Sequence, residues 1–174
     1  YNSRDTRASL ISPGWSFSFQ GKLENVGNDT VIRMPDGSVR TFIIESNGTY
    51  RAKDSRAKLV KSGSEYILTT ADYYKYRFNA NGFLYQMEDT NGNKVTLTVD
   101  SAGKVTRVAD QVGRAITIAY SSNRISTITD PAGRVASYFY DTSNRLNRVL
   151  RPDGSNLYYT YTTDGLLATV KNHN

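Results

Sequence analysis

Residues 130–150 read Asp-Pro-Ala-Gly-Arg-Val-Ala-Ser-Tyr-Phe-Tyr-Asp-Thr-Ser-Asn-Arg-Leu-Asn-Arg-Val-Leu. The stretch holds two turns and two apolar runs. Asp130 can accept an N–H from two residues on, Pro131 pre-sets φ, and Gly133 tolerates the positive φ that tight turns need. Ala136, Tyr138 and Tyr140 then alternate, which puts them on one face of a strand. Asn144 marks the second turn, and Leu146 and Val149 follow it three apart.

The pattern recurs in both directions along the chain. Turns headed by Asp89, Asp110, Asp130 and Arg151 close on Gly92, Gly113, Gly133 and Gly154, at separations of 21, 20 and 21 residues. A second turn series, Gly82, Gly103, Asn123, Asn144 and Gly165, alternates with the first at 21, 20, 21 and 21. Two interleaved turns per period give a unit of two strands, and internal repetition of this kind decides the architecture. The first strand of each unit alternates: Val95, Leu97, Val99; Ile116, Ile118, Tyr120; Ala136, Tyr138, Tyr140; Leu157, Tyr159, Tyr161. Leu97, Ile118, Tyr120, Tyr138, Tyr140, Tyr159 and Tyr161 are the expected repeat core.

The return strand is different. Leu84 and Met87, Val105 and Val108, Ile125 and Ile128, Leu146 and Val149, Leu167 and Val170 are each three apart. A β-bulge restores the facing after one extra residue and is the preferred reading; a single helical turn per repeat is the alternative. The expected fold class is all-β: antiparallel β-hairpin repeats of about 21 residues forming a curved, twisted sheet strip. Residues 78–174 hold the tandem repeats. Residues 1–77 read as an irregular β lead-in continuing into the same sheet, with hairpin turns at Met34–Ser38 and Asn47-Gly48. About sixteen strands at ~4.8 Å spacing would make a ribbon about 75 Å wide, with an apolar face and two raw edges that invite self-association.

The unit closes on Tyr140-Asp141, followed by Asn144 and an aliphatic, and is preceded by Asp130-Pro131-Ala132-Gly133-Arg134. This resembles the YD repeat of the Rhs family, found in bacterial Rhs and wall-associated polymorphic toxins, Tc-toxin C components and teneurins. Val99-Asp100, Tyr120-Ser121 and Tyr161-Thr162 keep half of the dipeptide, the drift expected where shape matters more than any side chain's chemistry. Tyr1-Asn2-Ser3 followed by Pro13-Gly14-Trp15-Ser16-Phe17-Ser18-Phe19 is similar to the segment that introduces the repeats in many bacterial Rhs proteins. The resemblance implies an incomplete part of a hollow β-shell that encloses or presents a C-terminal toxin or adhesive domain. The implied partners are the remaining repeats and the cargo domain of a parent protein. The implied location is secreted or on a bacterial cell surface, with the export signal outside this chain. The self-cleavage motif that ends such shells has no match here.

Composition narrows the function classes. The chain has 22 Lys and Arg against 16 Asp and Glu, and the surplus of +6 is scattered singly, the pattern of a solvated surface and not of a nucleic-acid groove. With no cysteine and one histidine, His173, there is no thiolate metal site or disulfide framework, and no buried base for a nucleophilic triad. His173 is expected to fray at the chain end. No stretch is long and apolar enough to span a membrane as a helix. Asp89, Asp110 and Asp130 recur like a ladder, whereas glycoside hydrolysis needs two facing carboxylates. No catalytic residue, metal site or cofactor is expected. Trp15, the sole tryptophan, is either a packed plug or a platform for stacking a sugar. The leading expectation is a structural scaffold; the alternative is a module that binds carbohydrate or a surface partner. Gly133→Val should be costly and His173→Ala silent.

Overall fold

The computed structural model describes residues 1–3, 9–53 and 55–173. Among them are sixteen β-strands and no helix. The strands group into two compact units, one of residues 18–114 and one of residues 1–17 with 115–174.

The first unit holds ten strands. A sheet of four runs in chain order through β1 (Lys22–Val26), β2 (Asp29–Arg33), β3 (Val39–Ile44) and β4 (Tyr50–Ala52). Leu23, Thr30, Ile32 and Phe42 are its buried side chains. It closes at Met34–Ser38 by the hairpin turn expected there, with Gly37 donating to the Met34 carbonyl. β5 (Lys58–Ser62), β6 (Glu65–Thr69), β7 (Lys75–Phe78), β8 (Leu84–Glu88), β9 (Lys94–Val99) and β10 (Val105–Asp110) follow, and from β6 onward each is antiparallel to the one before. Leu59, Leu68, Phe78, Leu84, Leu97, Val105 and Val108 are buried along them. The lead-in was expected to continue into the sheet of the repeats, and this holds only from β5 onward. β1–β4 pair among themselves in a sheet of their own, linked to the longer ladder by an isolated β-bridge of Lys22 with Phe83. No break falls at residue 77/78, because β7 pairs with both β6 and β8.

The second unit carries β11 (Ala115–Ser121), β12 (Arg124–Thr129), β13 (Val135–Tyr140), β14 (Leu146–Leu150), β15 (Asn156–Tyr161) and β16 (Leu167–His173), again paired in chain order. His173 is not frayed. It pairs with Asn156, and its ring meets Tyr158 edge-on at 5.4 Å.

The three-residue apolar spacing is a bulge. Opposite Arg77–Phe78 the return strand steps from Gln86 to Leu84, skipping Tyr85. The same slip skips Thr106, Ser126, Asn147 and Ala168. One unpaired residue brings positions three apart onto one face, so Leu84, Val105, Ile125 and Leu146 are all buried.

The two 20-residue intervals have a single origin. Between β13 and β14, Asp141 donates its N–H to the Arg145 carbonyl and accepts from Asn144, a turn that closes on a left-handed residue. Between β11 and β12 the loop is one residue shorter. Ser122 and Asn123 both have positive φ, at 47° and 66°, and Ser121 pairs directly with Arg124. A two-residue turn with both φ values positive matches the strand twist, and it removes one residue from each series at that point.

Candidate functional site

The turn carboxylates are occupied by their own backbone. Asp89, Asp110 and Asp130 each accept, through Oδ1, the N–H groups two and four residues on. Their Oδ2 atoms take Asn93 at 2.7 Å, Arg114 at 2.7 Å and Arg134 at 2.6 Å. The Arg of the Asp-x-x-Gly-Arg motif is therefore the partner of the Asp four residues earlier, and Asp141–Arg145 repeats the arrangement. These bonds favour the ionised form. The Arg114 side chain foremost holds Asp110 below the usual carboxylate range, and the Arg134 backbone N–H foremost does so for Asp130. In the last turn of this series Arg151 heads the loop, and Asp153 accepts from Ser155 instead. Gly92, Gly103, Gly113, Gly133, Gly154, Gly165 and Asn144 all sit at positive φ, between 63° and 90°. No group of three acidic or histidine side chains among the described residues is placed to hold a metal.

The tyrosines do something that spacing alone did not show. Ladder pairing between successive hairpins stops short of the bulge: β12 meets β13 only from Thr127 onward, and β14 meets β15 only from Arg148 onward. Backbone groups of the buried aliphatic beside the bulge therefore need other partners. The Tyr140 hydroxyl donates to the Ile125 carbonyl at 2.6 Å, and the Tyr161 hydroxyl donates to the Leu146 carbonyl at 2.7 Å. Each tyrosine reaches back 15 residues to the preceding bulge. Burial pushes the phenols of Tyr138, Tyr140, Tyr159 and Tyr161 up, so they are donors at neutral pH. Leu97 and Ile118 are buried, while Tyr120, Tyr138, Tyr140, Tyr159 and Tyr161 are half-buried.

The N–H groups at the same point are taken by the lead-in. In the unit of residues 18–114, Leu84 donates to the Gly21 carbonyl at 3.1 Å. In the other unit, Ile125 donates to the Leu10 carbonyl at 2.8 Å and Leu167 to the Tyr1 hydroxyl at 3.0 Å. The Trp15 ring stands between Tyr1, with centroids 5.6 Å apart, and Tyr159, edge-on at 5.2 Å. Trp15 is thus flanked by two rings from distant parts of the sequence.

Residues 120–155, four turns with strands β12, β13 and β14 between them, match the RHS Repeat family. The matched stretch spans both kinds of turn, the bulges at Ser126 and Asn147, and the Tyr140–Ile125 bond. No curated relative matches the sequence. Among solved structures it is similar to the TcdB2-TccC3-TEV crystal structure, at 18% identity and a TM-score of 0.48, over 83% of this chain and 10% of that one. A Photorhabdus luminescens Tc holotoxin pore is similar at 15% identity and a TM-score of 0.43, over 87% and 8%. A porin-like protein from Bacteroides uniformis is similar at 10% identity and a TM-score of 0.28. The chain thus spans about a tenth of the length of the chains in these first two structures.

Proposed function

We propose that this chain is a non-catalytic structural segment of an Rhs-type shell, in a larger exported protein that encloses or presents a toxin or adhesive domain. The supporting observation is the unequal burial of one repeat position. Val108 and Val149 are 6% and 8% exposed, whereas Val170, three residues after the aliphatic of the last hairpin, is 53% exposed. β16 has a strand on one side only, so a further hairpin is what would cover Val170 and fill the free edge. Hydrogen exchange of the β16 amides tests this. They should exchange fast in the isolated chain and be protected in the parent protein. Equal exchange in both would remove the reading.

A second reading is adhesion to carbohydrate. Phe139 and Tyr158 lie on the face opposite the tyrosine core and are 37% and 39% exposed, with the Arg148 guanidinium 3.8 Å over the Phe139 ring. A glycan array with the wild type and Tyr158→Ala separates the two. Binding lost in a folded Tyr158→Ala protein supports adhesion, and an empty array leaves the scaffold reading alone.

A further inference from the structure

One turn breaks the rule that the others obey. The loop from Thr70 to Tyr74 has the hydrogen bonds of the Asp-headed turns: Thr70 donates its N–H to the Tyr74 carbonyl, and Tyr73 donates to Thr70. Tyr73 therefore occupies the place that Gly92, Gly113, Gly133 and Gly154 fill in later turns, and its φ is +65°. A bulky side chain in the left-handed region is an outlier, and packing does not account for it. Tyr73 is 74% exposed, and Tyr74 beside it is exposed as well. A residue held in strain with its ring in water points to something outside the chain.

The surface next to it has the character of a receptor. Tyr74 immediately precedes β7 and Tyr76 lies within it, two residues on, about 7 Å apart where the chain is extended. Tyr76 lines a depression of about 230 Å³ with Ser18, Met34, Pro35, Asp36 and Met87. That volume suits one long side chain better than a whole small-molecule ligand, and thioether walls adapt to what enters. The charges near the Tyr76 phenol are Asp36 and Asp72 on one side and Arg40 on the other. Lys75 is committed to Glu88 at 2.7 Å. The balance leaves one carboxylate in excess.

We propose that the Tyr73–Tyr74 tip and the Met34–Met87 depression form a docking site for a protein segment that presents a lysine or arginine. The methylene stem lies along Met34, Pro35 and Met87, the cationic head meets Asp36 and Asp72, and the two tyrosine rings close over it. Rigid tyrosines are favoured interface anchors because they bring large contact area at little entropic cost. This inference stands apart from the shell reading, since it needs neither closure nor further repeats.

The test is an NMR titration of the whole chain, read at the Met34 and Met87 methyl groups, with the peptide acetyl-Ala-Lys-Leu-Lys-Ala-amide. An acidic counterpart with Glu for Lys and the oligosaccharide chitotetraose serve as comparisons. The basic peptide should shift both methyls saturably, and Tyr73→Gly and Asp72→Asn should each weaken it at least fivefold. Tyr73→Gly should meanwhile melt about 2–4 °C higher, because glycine relieves the backbone. No saturable shift, tighter binding of the acidic peptide or of chitotetraose, undiminished binding by Tyr73→Gly, or a lowered melting temperature in that variant would each overturn the proposal.

Discussion

The hairpin of β7 and β8 and the hairpin of β13 and β14 share one plan and are closed in two ways. Both carry a bulge, at Tyr85 and at Asn147, and both bury an aliphatic beside it, Leu84 and Leu146. In the first, strand β1 covers the tip: Leu23 donates to the Gly82 carbonyl at 2.8 Å, and Leu84 donates to Gly21. Phe78 is fully buried there, and Val99, the residue 15 positions after Leu84, has no hydroxyl to reach back with. In the second, Tyr161 reaches back to the Leu146 carbonyl. A bulge leaves backbone groups that something must satisfy. At the β13–β14 bulge the tyrosine of the next unit serves the carbonyl, and around the β7–β8 tip strand β1 supplies the partners that are seen.

The largest break in this comparison is Gly82→Ala. Its φ is +75°, and a Cβ there would land on the carbonyl oxygen of Leu23, a backbone atom held in its own strand. Either β1 leaves the hairpin or the tip distorts. The expected loss is about 3 kcal/mol, seen as a fall in melting temperature of roughly 6–12 °C. A loss below ~1 kcal/mol would show that β1 does not clamp this tip. Gly103 is a milder case, since a Cβ there meets only the Phe83 ring, which can rotate away.

Next in size is Tyr161→Phe, which keeps the ring and strands the buried Leu146 carbonyl. The expected cost is about 1–2 kcal/mol. Phe at position 78 already does without the bond, so the reverse change, Phe78→Tyr, should yield no comparable gain. The tyrosine hairpins should also carry a signature at high pH. Their folded phenol values lie above the ordinary tyrosine value, so their contribution is intact below about pH 10 and is lost as pH rises beyond it. Thermal melts from pH 8 to 11 on wild type and Tyr140→Phe/Tyr161→Phe would show this. A limb equally steep in both would detach the alkaline loss from these two residues.

Gly133→Ala is smaller. Its φ is +80°, like Gly82, but nothing lies within reach of an added Cβ. Only backbone strain remains, about 1 kcal/mol, and Gly133→Asn should cost less because Asn144 holds the same conformation at 63°. Chemical denaturation of the three Gly→Ala variants at 82, 103 and 133 would rank them. Equal losses would mean that conformation alone matters and that the close approach of β1 does not.

Most of this plan was legible in the sequence, and the limits have physical causes. The period, the two turns and the bulge follow from Gly, Asn and aliphatic spacing, because local sterics and alternation fix them. The tyrosine bonds were not visible, because a phenol in an apolar row reads as packing until its hydroxyl finds a carbonyl 15 residues away. Trp15 was legible only as a choice between a plug and a sugar platform, since its neighbours Tyr1 and Tyr159 are distant in sequence. The separate sheet of β1–β4 was missed for a similar reason: its turns at Met34–Ser38 and Glu45–Thr49 repeat the hydrogen bonds of the later ones, so local pattern gave no sign of a change of sheet. The strained turn at Tyr73 was not legible, for nothing local marks a tyrosine that stands in a glycine's place.

The smallest effect separates two versions of one turn. The loop after Asn79 and the loop after Asp130 make the same pair of bonds from the head side chain to the N–H groups two and four residues on. Asn79 cannot titrate, and Asp130 can. The folded value of Asp130 lies below its ordinary one, held there first by the Arg134 N–H, so its contribution is present above about pH 4 and fades as pH falls through the folded value. A ¹³C carboxyl titration should place the Asp130 midpoint below that of an unstructured Asp. Amide exchange at Ala132 and Arg134, corrected for its intrinsic pH dependence, should rise over the same range while Asn81 and Phe83 stay protected. Parallel behaviour of the two loops would mean that the bonds to Asp130 are bystanders to a turn held by its glycine alone.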